Sequence, residues 1–289
     1  MDNKRSKRIW IVVALLLILV PVLGMRAFAG SASGGVLRVA ALNIGQGDSI
    51  YIEAPNGKQM IFDGGPDSSI MTRLGEVMPF GDTSIDVLVV TNPDKDHYAG
   101  FLNVLEKYQV GMVLEPGTTS TTAMYKKLED VIASKNIPEL VARKGMKISL
   151  DQARNVSFDV LFPDRDVSNW ATNDGSIVGK IVYGTTSFMM MGDATAKTEN
   201  IILKANPSET IKSTVLKAGH HGSRTSSSDA WVGAVAPTYA LISAGAHNKY
   251  GHPHQETLDT FAKYGVKVLG TYALGNVELD SDGIKVWQK

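Results

Sequence analysis

The sequence of 289 residues contains no cysteine. Disulfide bonds, thiolate metal ligands and cysteine nucleophiles are therefore excluded. Any metal ion in this protein has to be held by histidine, aspartate, asparagine or water.

The sequence also lacks an excess of charge of either sign, with 29 basic and 29 acidic side chains. Five of the basic side chains and one of the acidic ones lie within residues 1–29, which leaves 24 basic and 28 acidic side chains in the remainder. Such a chain has no strongly basic surface of the kind that holds nucleic acid. Tight, long-lived DNA binding is therefore disfavoured, whereas cleavage of a phosphodiester is not.

A long apolar run occurs only near the amino terminus, over residues 9–25, after the basic residues 4–8. Small residues follow at Ala27 and Ala29, and together these features predict a secretory signal peptide that is cleaved after Ala29. The run is longer than most signal-peptide cores and shorter than most membrane helices, so an uncleaved anchor through residues 9–25 is the alternative. Either interpretation predicts a bacterial protein that is secreted or anchored on the outer face of the cytoplasmic membrane.

A short Gly/Ser-rich segment, residues 30–35, predicts a flexible linker. No second linker or repeat interrupts residues 36–289, for which we expect one domain. Strand-like runs such as residues 59–62 and 239–242 alternate with helix-like runs, which predicts an α/β sandwich with helices covering sheets. The helix-like runs cover residues 99–108, 122–135, 197–205, 228–235 and 253–264.

Polar side chains that can bind a metal follow the apolar strand predicted at residues 85–90. Alternate side chains of an extended segment point the same way, so Asn92, Asp94 and Asp96 can converge on one point. His97 comes next and can reach that point from the side. A turn rich in Asp, Asn and Pro is the structural alternative, and this segment alone does not decide between the two.

Five of the six histidines lie in two segments of the second half of the chain, residues 217–223 and 247–254. A lone histidine is more often structural, but paired histidines on Gly-flanked loops after apolar strands are candidates for metal binding or catalysis. The pairs are His220 with His221 and His252 with His254. Another predicted strand, residues 187–191, is followed by Asp193, which is either a helix N-cap or a carboxylate that bridges two metal ions.

Seven short motifs occur in the order typical of one superfamily. They are residues 43–48 (Asn-Ile-Gly-Gln-Gly-Asp), 62–65 (Phe-Asp-Gly-Gly), 92–97, 173–176 (Asn-Asp-Gly-Ser), 192–193 (Gly-Asp), 220–223 (His-His-Gly-Ser) and 248–253. Together they resemble the metallo-β-lactamase superfamily, and specifically the extracellular hydrolase domain of the ComEC family of DNA-uptake proteins. The resemblance implies a four-layer αββα metallo-β-lactamase-like sandwich with a metal site at one edge of its sheets.

Two positions depart from the pattern of that family. Asn92 stands where the superfamily carries histidine, and an amide oxygen is a poorer ligand than imidazole for a transition metal. Asn173 and Asp174 stand where many relatives place a further histidine. The resemblance therefore implies that one of the two usual metal sites is weakened, and that one or two divalent ions, Zn²⁺ or Mn²⁺, are bound. The site that remains intact consists of Asp96, His97, Asp193 and one histidine of the pair at 220–221.

The resemblance implies metal-assisted hydrolysis, in which a bound cation lowers the pKa of its water from about 16 towards 7. The expected metal ligands are Asp94, Asp96, His97, Asp193 and His221. Asp96 is also expected to orient the resulting hydroxide. His220 is expected to lie behind the ligands or to act as a general acid. The opposite assignment, with His220 as the ligand and His221 behind it, fits the sequence nearly as well. The expected contacts to a phosphate oxygen are Lys217, Ser223, Asn248 and His252. Asp63 is expected to shape its loop next to the site.

Three functions are compatible with such a site. The first is a metal-dependent phosphodiesterase or nuclease that acts on a phosphodiester such as DNA. The second is a hydrolase of the same fold that acts on a cell-wall phosphodiester of the phosphorylcholine type, or on an ester or lactone. The third is a catalytically lapsed domain that only binds, for which Asn92 is an argument. The sequence implies no protein partner.

Overall fold

The computed structural model describes residues 35–289, so the predicted leader and nearly all of the predicted linker lie outside the described residues. Two mixed sheets form the centre of the described part. The first sheet contains β1 (Leu37–Ala41), β2 (Ile50–Glu53), β3 (Gln59–Phe62), β4 (Ser84–Val89), β5 (Gln109–Glu115), β6 (Glu139–Val141), β14 (Val277–Ser281) and β15 (Val286–Gln288). Its strand order is β15-β14-β1-β2-β3-β4-β5-β6.

The second sheet contains β7 (Lys147–Asp151), β8 (Val156–Phe162), β9 (Val178–Tyr183), β10 (Thr186–Met190), β11 (Val215–Lys217), β12 (Tyr239–Ile242) and β13 (Lys267–Gly270). Its strand order is β13-β12-β11-β10-β9-β8-β7. Strands β3 to β6 run parallel in the first sheet, and β10 to β13 run parallel in the second. Loops that follow parallel strands meet at the same edge, which is where α/β folds place their sites.

Helices cover the outer face of each sheet. They are α1 (Ser69–Val77), α2 (Lys95–Tyr98), α3 (Phe101–Lys107), α4 (Ala123–Ser134), α5 (Ala196–Ala205), α6 (Ser208–Ile211), α7 (Asp229–Val235), α8 (Gln255–Lys263) and α9 (Thr271–Leu274). Among the described residues, no helix is both long enough and apolar enough to span a membrane.

Three apolar cores separate the layers. Alternate residues of β3 serve two of them, because Met60 and Phe62 face the other sheet while Ile61 faces helices. The Phe62 ring meets the Phe158 ring of the second sheet edge-on, with centroids 4.9 Å apart. The third core lies between the second sheet and its helices, around Trp231. This arrangement confirms the predicted αββα sandwich.

Candidate metal centre

Most of the predicted site residues meet at the edge of the sandwich where parallel strands of both sheets end. Asp96 and His97 lie in helix α2, which begins at Lys95 after the loop that follows β4. The expectation that Asp96 belongs to an extended segment is therefore wrong. Asp193 follows β10, and His220 and His221 follow β11. An open cleft of about 260 Å³ is lined by Gln46, Asp94, Lys95, Asp96, Asn173, Asp193, His220, His221, Tyr250 and His252.

His97 is fully buried and has a carboxylate at each ring nitrogen. Its Nδ1 lies 2.9 Å from Oδ2 of Asp63, and its Nε2 lies 3.1 Å from Oδ2 of Asp193. The Asp63 carboxylate also accepts hydrogen bonds from the backbone N–H and the hydroxyl of Thr91. Burial opposes protonation of His97, but Asp193 and Asp63 raise its pKa well above the usual value of 6.5. Asp63 therefore orients the His97 ring as well as shaping its loop.

His221 is held in the same way from the opposite side of the centre. Its Nδ1 lies 3.2 Å from Oδ1 of Asp48 and 3.1 Å from the carbonyl oxygen of Ser243. Its Nε2 lies 3.4 Å from Oδ2 of Asp96 and 3.5 Å from Oδ1 of Asp193. Burial again opposes protonation, but Asp193 and Asp48 raise the pKa of His221 to about 10. The residue adopts φ 55, a strained backbone conformation of the kind that concentrates at functional sites.

Three buried atoms at the centre fit a divalent cation. Nε2 of His97, Nε2 of His221 and Oδ1 of Asp193 make no hydrogen bond within residues 35–289. A buried polar atom without a partner costs about 1–3 kcal/mol, and a bound cation would satisfy all three. Donor atoms of Asp96, His97 and His221 lie within 4.8 Å of one another, as do those of Asp48, His97 and Asp193. Imidazole and carboxylate donors together suit Zn²⁺ or Mn²⁺.

The carboxylates of the centre differ in their surroundings. Burial raises the pKa of Asp193, but His221 and His97 together hold it well below its usual range. The pKa of Asp96 is also lowered, because its proximity to His221 and His97 outweighs its burial. Asp94 lines the cleft but belongs to neither cluster of donor atoms. Its Oδ2 accepts a hydrogen bond of 2.9 Å from the hydroxyl of Thr172.

The two positions that depart from the family pattern have different surroundings. Asn92 is fully buried, and its Oδ1 accepts a hydrogen bond of 2.9 Å from the backbone N–H of Asp94. Its amide therefore shapes the loop that carries Asp94. Asn173 lines the cleft, whereas Asp174 accepts hydrogen bonds from Thr195 and Lys197. Asn173 is thus the one of this pair that belongs to the site.

Lys217 and Ser223 do not line the cleft, which corrects their prediction as phosphate contacts. Lys217 is 1% exposed, and its Nζ lies 2.8 Å from Oδ2 of Asp48. The same Nζ donates a hydrogen bond to the carbonyl oxygen of Ala218. Ser223 is buried, and its hydroxyl oxygen accepts hydrogen bonds from the backbone N–H and the hydroxyl of Thr225. Both side chains therefore make contacts inside the protein and do not reach a substrate in the cleft.

Asn248 and His252 lie on one loop, but only His252 lines the cleft. Asn248 closes the loop, since its Nδ2 donates to the carbonyl oxygens of Gly245 and His252 and its Oδ1 accepts from two backbone N–H groups. A phosphate contact by Asn248 would break these bonds. Burial and the neighbouring histidines His221 and His220 lower the pKa of His252 to about 4, so the ring is neutral near pH 7.

His220 borders the cleft and is less well suited to be a general acid than the sequence suggests. Its Nδ1 lies 3.0 Å from the Thr225 hydroxyl oxygen, and that hydroxyl donates its own proton to Ser223. The Nδ1 therefore carries the proton, which leaves a lone pair on Nε2, 3.8 Å from Oδ2 of Asp193. Burial lowers the pKa of His220 despite the opposing charge of Asp193. A neutral ring with a free lone pair accepts a proton or a metal ion.

Sequence reasoning missed several residues of the site. Asp48 positions His221 and ends the Gly-Gln-Gly-Asp motif, so the motif was a usable signal. Lys95 is exposed and lines the cleft, where it supplies the positive charge expected from Lys217. Tyr250 also lines the cleft and belongs to the motif at residues 248–253, which is the signal that could have found it.

Comparison with known proteins supports a metallo-β-lactamase fold with a metal centre at this cleft. Residues 42–247 match the family profile described as metallo-beta-lactamase superfamily. The chain is 28% identical over 257 residues to ComE operon protein 3 of Bacillus subtilis, a match that covers 83% of this chain and 32% of that protein. It is 28% identical over 303 residues to competence protein ComA of Neisseria gonorrhoeae, which covers 96% of this chain and 40% of that protein. The chain thus spans about a third of the length of these relatives. The resemblance to the ComEC family is confirmed.

A solved structure has the same fold. The metallo-beta-lactamase fold protein YhfI from Bacillus subtilis superposes with a TM-score of 0.55 at 9% identity, covering 88% of this chain and 100% of that one. At this level of identity the likeness is one of fold alone. Together with the histidine and aspartate clusters, the family implies a divalent metal ion and a hydrolase of the metal-dependent kind.

Proposed function

The chain belongs to the metallo-β-lactamase superfamily, and we propose that it is a metal-dependent phosphodiesterase that acts on nucleic-acid strands such as DNA. The observation that carries the proposal is the convergence of three buried atoms, on His97, His221 and Asp193, at the base of an open polar cleft, none of which makes a hydrogen bond within the described residues. The similarity to competence proteins supports a nucleic-acid substrate. We further propose that the domain works outside the cytoplasmic membrane, as the leader at residues 1–29 predicts.

The ligands that would hold the ion are His97, His221, Asp193 and Asp96, with Asp94 at the rim. A divalent cation held there would acidify a water molecule and polarise a phosphoryl oxygen. Asp63 and Asp48 bind the Nδ1 atoms of the two buried histidines. These contacts fix each ring so that its Nε2 points into the centre, which is the usual arrangement behind a ligating histidine.

Asp96 is suited to orient the attacking water. Its side chain is 35% exposed, so water reaches it, while Oδ2 remains 3.4 Å from Nε2 of His221. Its lowered pKa keeps it ionised near neutral pH, so the carboxylate accepts a hydrogen bond from the water. The water oxygen would attack phosphorus as the ester P–O bond breaks. The attacking water would lose a proton to solvent, and the departing alkoxide would take up a proton from solvent in the open cleft.

The phosphate would be held at the rim of the cleft. Lys95 is exposed there and carries a positive charge. The neutral His252 and the amide of Asn173 also line the cleft, and both can donate hydrogen bonds to phosphoryl oxygens. This set replaces the one predicted from the sequence, of which only His252 remains.

The first test is metal analysis of the purified full-length chain, followed by assays with added Mn²⁺ or Zn²⁺. We expect close to one bound ion or more per chain, and hydrolysis of bis-p-nitrophenyl phosphate and of single-stranded DNA. Asp174→Ala, which removes a carboxylate outside the cleft, serves as the control and should hydrolyse both. A chain that is saturated with metal and inert on every phosphodiester and ester would support the binding-only alternative.

A further inference from the structure

Tyr250 places an exposed aromatic ring at the mouth of the metal centre. The residue is 54% exposed, and it lines the same cleft as Asp96 and His220. Within residues 35–289 it is the one strongly exposed large apolar side chain that lines this cleft. Apolar surface at the entrance of an otherwise polar cleft indicates contact with a ligand that has an apolar face.

The Tyr250 ring is held in position by its own loop. It stacks on the ring of His252, with centroids 5.7 Å apart and an angle of 23° between the planes. The Oδ1 of Asn248 accepts hydrogen bonds from the backbone N–H groups of both stacked residues, which fixes their backbone. The His252 ring lies 6.1 Å from the His221 ring at a tilt of 33°, so a row of rings leads from the cleft mouth to the buried centre. A ring that is already ordered loses little entropy when a ligand stacks on it.

We propose that Tyr250 is a stacking platform for a nucleobase of the substrate strand, next to the phosphate that is cleaved. The proposal rests on the phosphodiesterase function argued above and names a residue that determines its substrate class. Every nucleobase has an aromatic face, so such a platform favours strands with bases without selecting a sequence.

The charge beside the ring favours a nucleic acid over a choline-type headgroup. The Nζ of Lys249 lies 5.1 Å from the centre of the Tyr250 ring. An ammonium at this place attracts the phosphates that flank a stacked base and repels a quaternary ammonium group. Residues 30–289 carry more acidic than basic side chains, so overall electrostatic attraction does little to hold a strand. Local stacking would then make a large contribution to strand affinity.

The test compares two strands and four forms of the full-length chain. One strand is an oligothymidylate of ten nucleotides. The other is an abasic strand of the same length, in which a tetrahydrofuran residue replaces every nucleoside. The proteins are the wild type, Tyr250→Ala, Tyr250→Trp and the control Tyr264→Ala. Tyr264 is also exposed and also has a lysine next to its ring, Lys263 at 5.2 Å, but it does not line the cleft.

We expect Tyr250→Ala to lower kcat/KM on oligothymidylate by at least about fivefold, since loss of base stacking on an aromatic residue costs roughly five- to 150-fold. The same variant should retain the wild-type rate on the abasic strand within about twofold. Tyr250→Trp and Tyr264→Ala should behave as the wild type on both strands. Equal losses on the two strands, or no loss on either, would overturn the proposal.

A binding measurement separates failure of this proposal from failure of the proposed function. The dissociation constants of both strands, labelled with fluorescein, are measured by anisotropy in EDTA, where no cleavage occurs. If the metal-loaded wild type cleaves neither strand, the phosphodiesterase proposal is contradicted. The platform still stands if the wild type prefers oligothymidylate and Tyr250→Ala loses that preference, and it is overturned if the preference is the same in both.

Discussion

The ammonium of Lys217 lies 2.8 Å from the carboxylate of Asp48, and both side chains are buried beneath the metal centre. The other oxygen of Asp48 lies 3.2 Å from Nδ1 of His221. Burial opposes ionisation of Asp48, but Lys217 and His221 lower its pKa to about 2. Lys217 therefore acts on the centre through Asp48, by keeping charged the carboxylate that positions His221.

This relationship predicts that substitution of Lys217 lowers stability, whereas substitution of Lys95 affects substrate binding. Lys217→Met leaves Asp48 buried next to the site without its main counter-charge, so we expect a loss of about 3–5 kcal/mol in the free energy of unfolding. Lys95→Ala removes an exposed charge and should change stability by less than about 0.5 kcal/mol while raising KM for a phosphodiester. Urea unfolding and steady-state kinetics of both variants check this. A Lys217→Met variant that is as stable as the wild type and has only a raised KM would contradict this role and support Lys217 as a substrate contact.

Gly47 is required where the loop before β2 passes helix α2. Its φ is 136°, and a Cβ at this position would overlap the backbone oxygen of Asp96. Gly47→Ala should therefore displace Asp96 and lower activity by about tenfold or more, since a small misplacement of a catalytic group is costly.

Gly45→Ala is the matched control for Gly47→Ala. Gly45 also has a positive φ, 81°, but a Cβ there meets nothing within 4 Å. Gly45→Ala should lose about 1 kcal/mol of stability from backbone strain. Gly47→Ala should lose more, because its Cβ also overlaps the oxygen of Asp96, and it alone should lose turnover. The comparison requires unfolding free energies and kcat for the two proteins. Equal activity in both would mean that the close approach to Asp96 is unimportant.

Metal binding should release protons. In the metal-free protein the pKa values of His97 and His221 are raised by the surrounding carboxylates, so both rings are protonated at pH 7. A ligating imidazole has to be neutral, so binding displaces these protons and metal affinity rises with pH. Titration calorimetry at pH 7 in two buffers of different ionisation enthalpy measures the number released. Binding without proton release would show that these two histidines are not the ligands.

Glu115 predicts a pH dependence of stability that is independent of the site. Burial, and then Glu139 and Glu129, raise the pKa of Glu115 from 4.5 to about 7. The stability present below pH 4.5 is therefore lost as the pH rises through 7, because ionisation is opposed only in the folded protein. Glu115→Gln should gain stability over the wild type at pH 8.5 and not at pH 4. Thermal unfolding at both values, with the surface variant Glu209→Gln as control, tests this.

Elements with a strong local pattern could be predicted from the sequence. The apolar runs of β3 and β12 predict these strands at their observed limits, and the periodicity of residues 122–135 predicts α4 to within one residue at each end. Strand β6 has no such pattern, because its three residues are exposed and it exists through pairing with β5. The nine-residue helix α1 escaped prediction as well, since it buries only Ile70 and Leu74.

The site also has features that the sequence predicts and features that it does not. Its histidine and aspartate ligands follow strands in recognisable motifs, so their convergence could be predicted. The pairing of Asp48 with His221 joins residues 173 positions apart, and no local pattern encodes it. The side chain of Lys217 reaches Asp48 inside the protein, and the direction of a strand-end side chain depends on register, which the sequence does not reveal by itself.

The metal content of Asp193→Ala tests the central claim most directly. Asp193 lies between the two buried histidines, with Oδ2 at 3.1 Å from Nε2 of His97 and Oδ1 at 3.5 Å from Nε2 of His221. Asn92→Ala is the control, because the amide of Asn92 bonds to the backbone N–H of Asp94 and does not line the cleft. With the folded state of both variants checked by circular dichroism, elemental analysis should find Asp193→Ala nearly free of metal and Asn92→Ala close to the wild type. Equal metal loss in the two variants, or full retention by Asp193→Ala, would contradict a centre built on His97, Asp193 and His221.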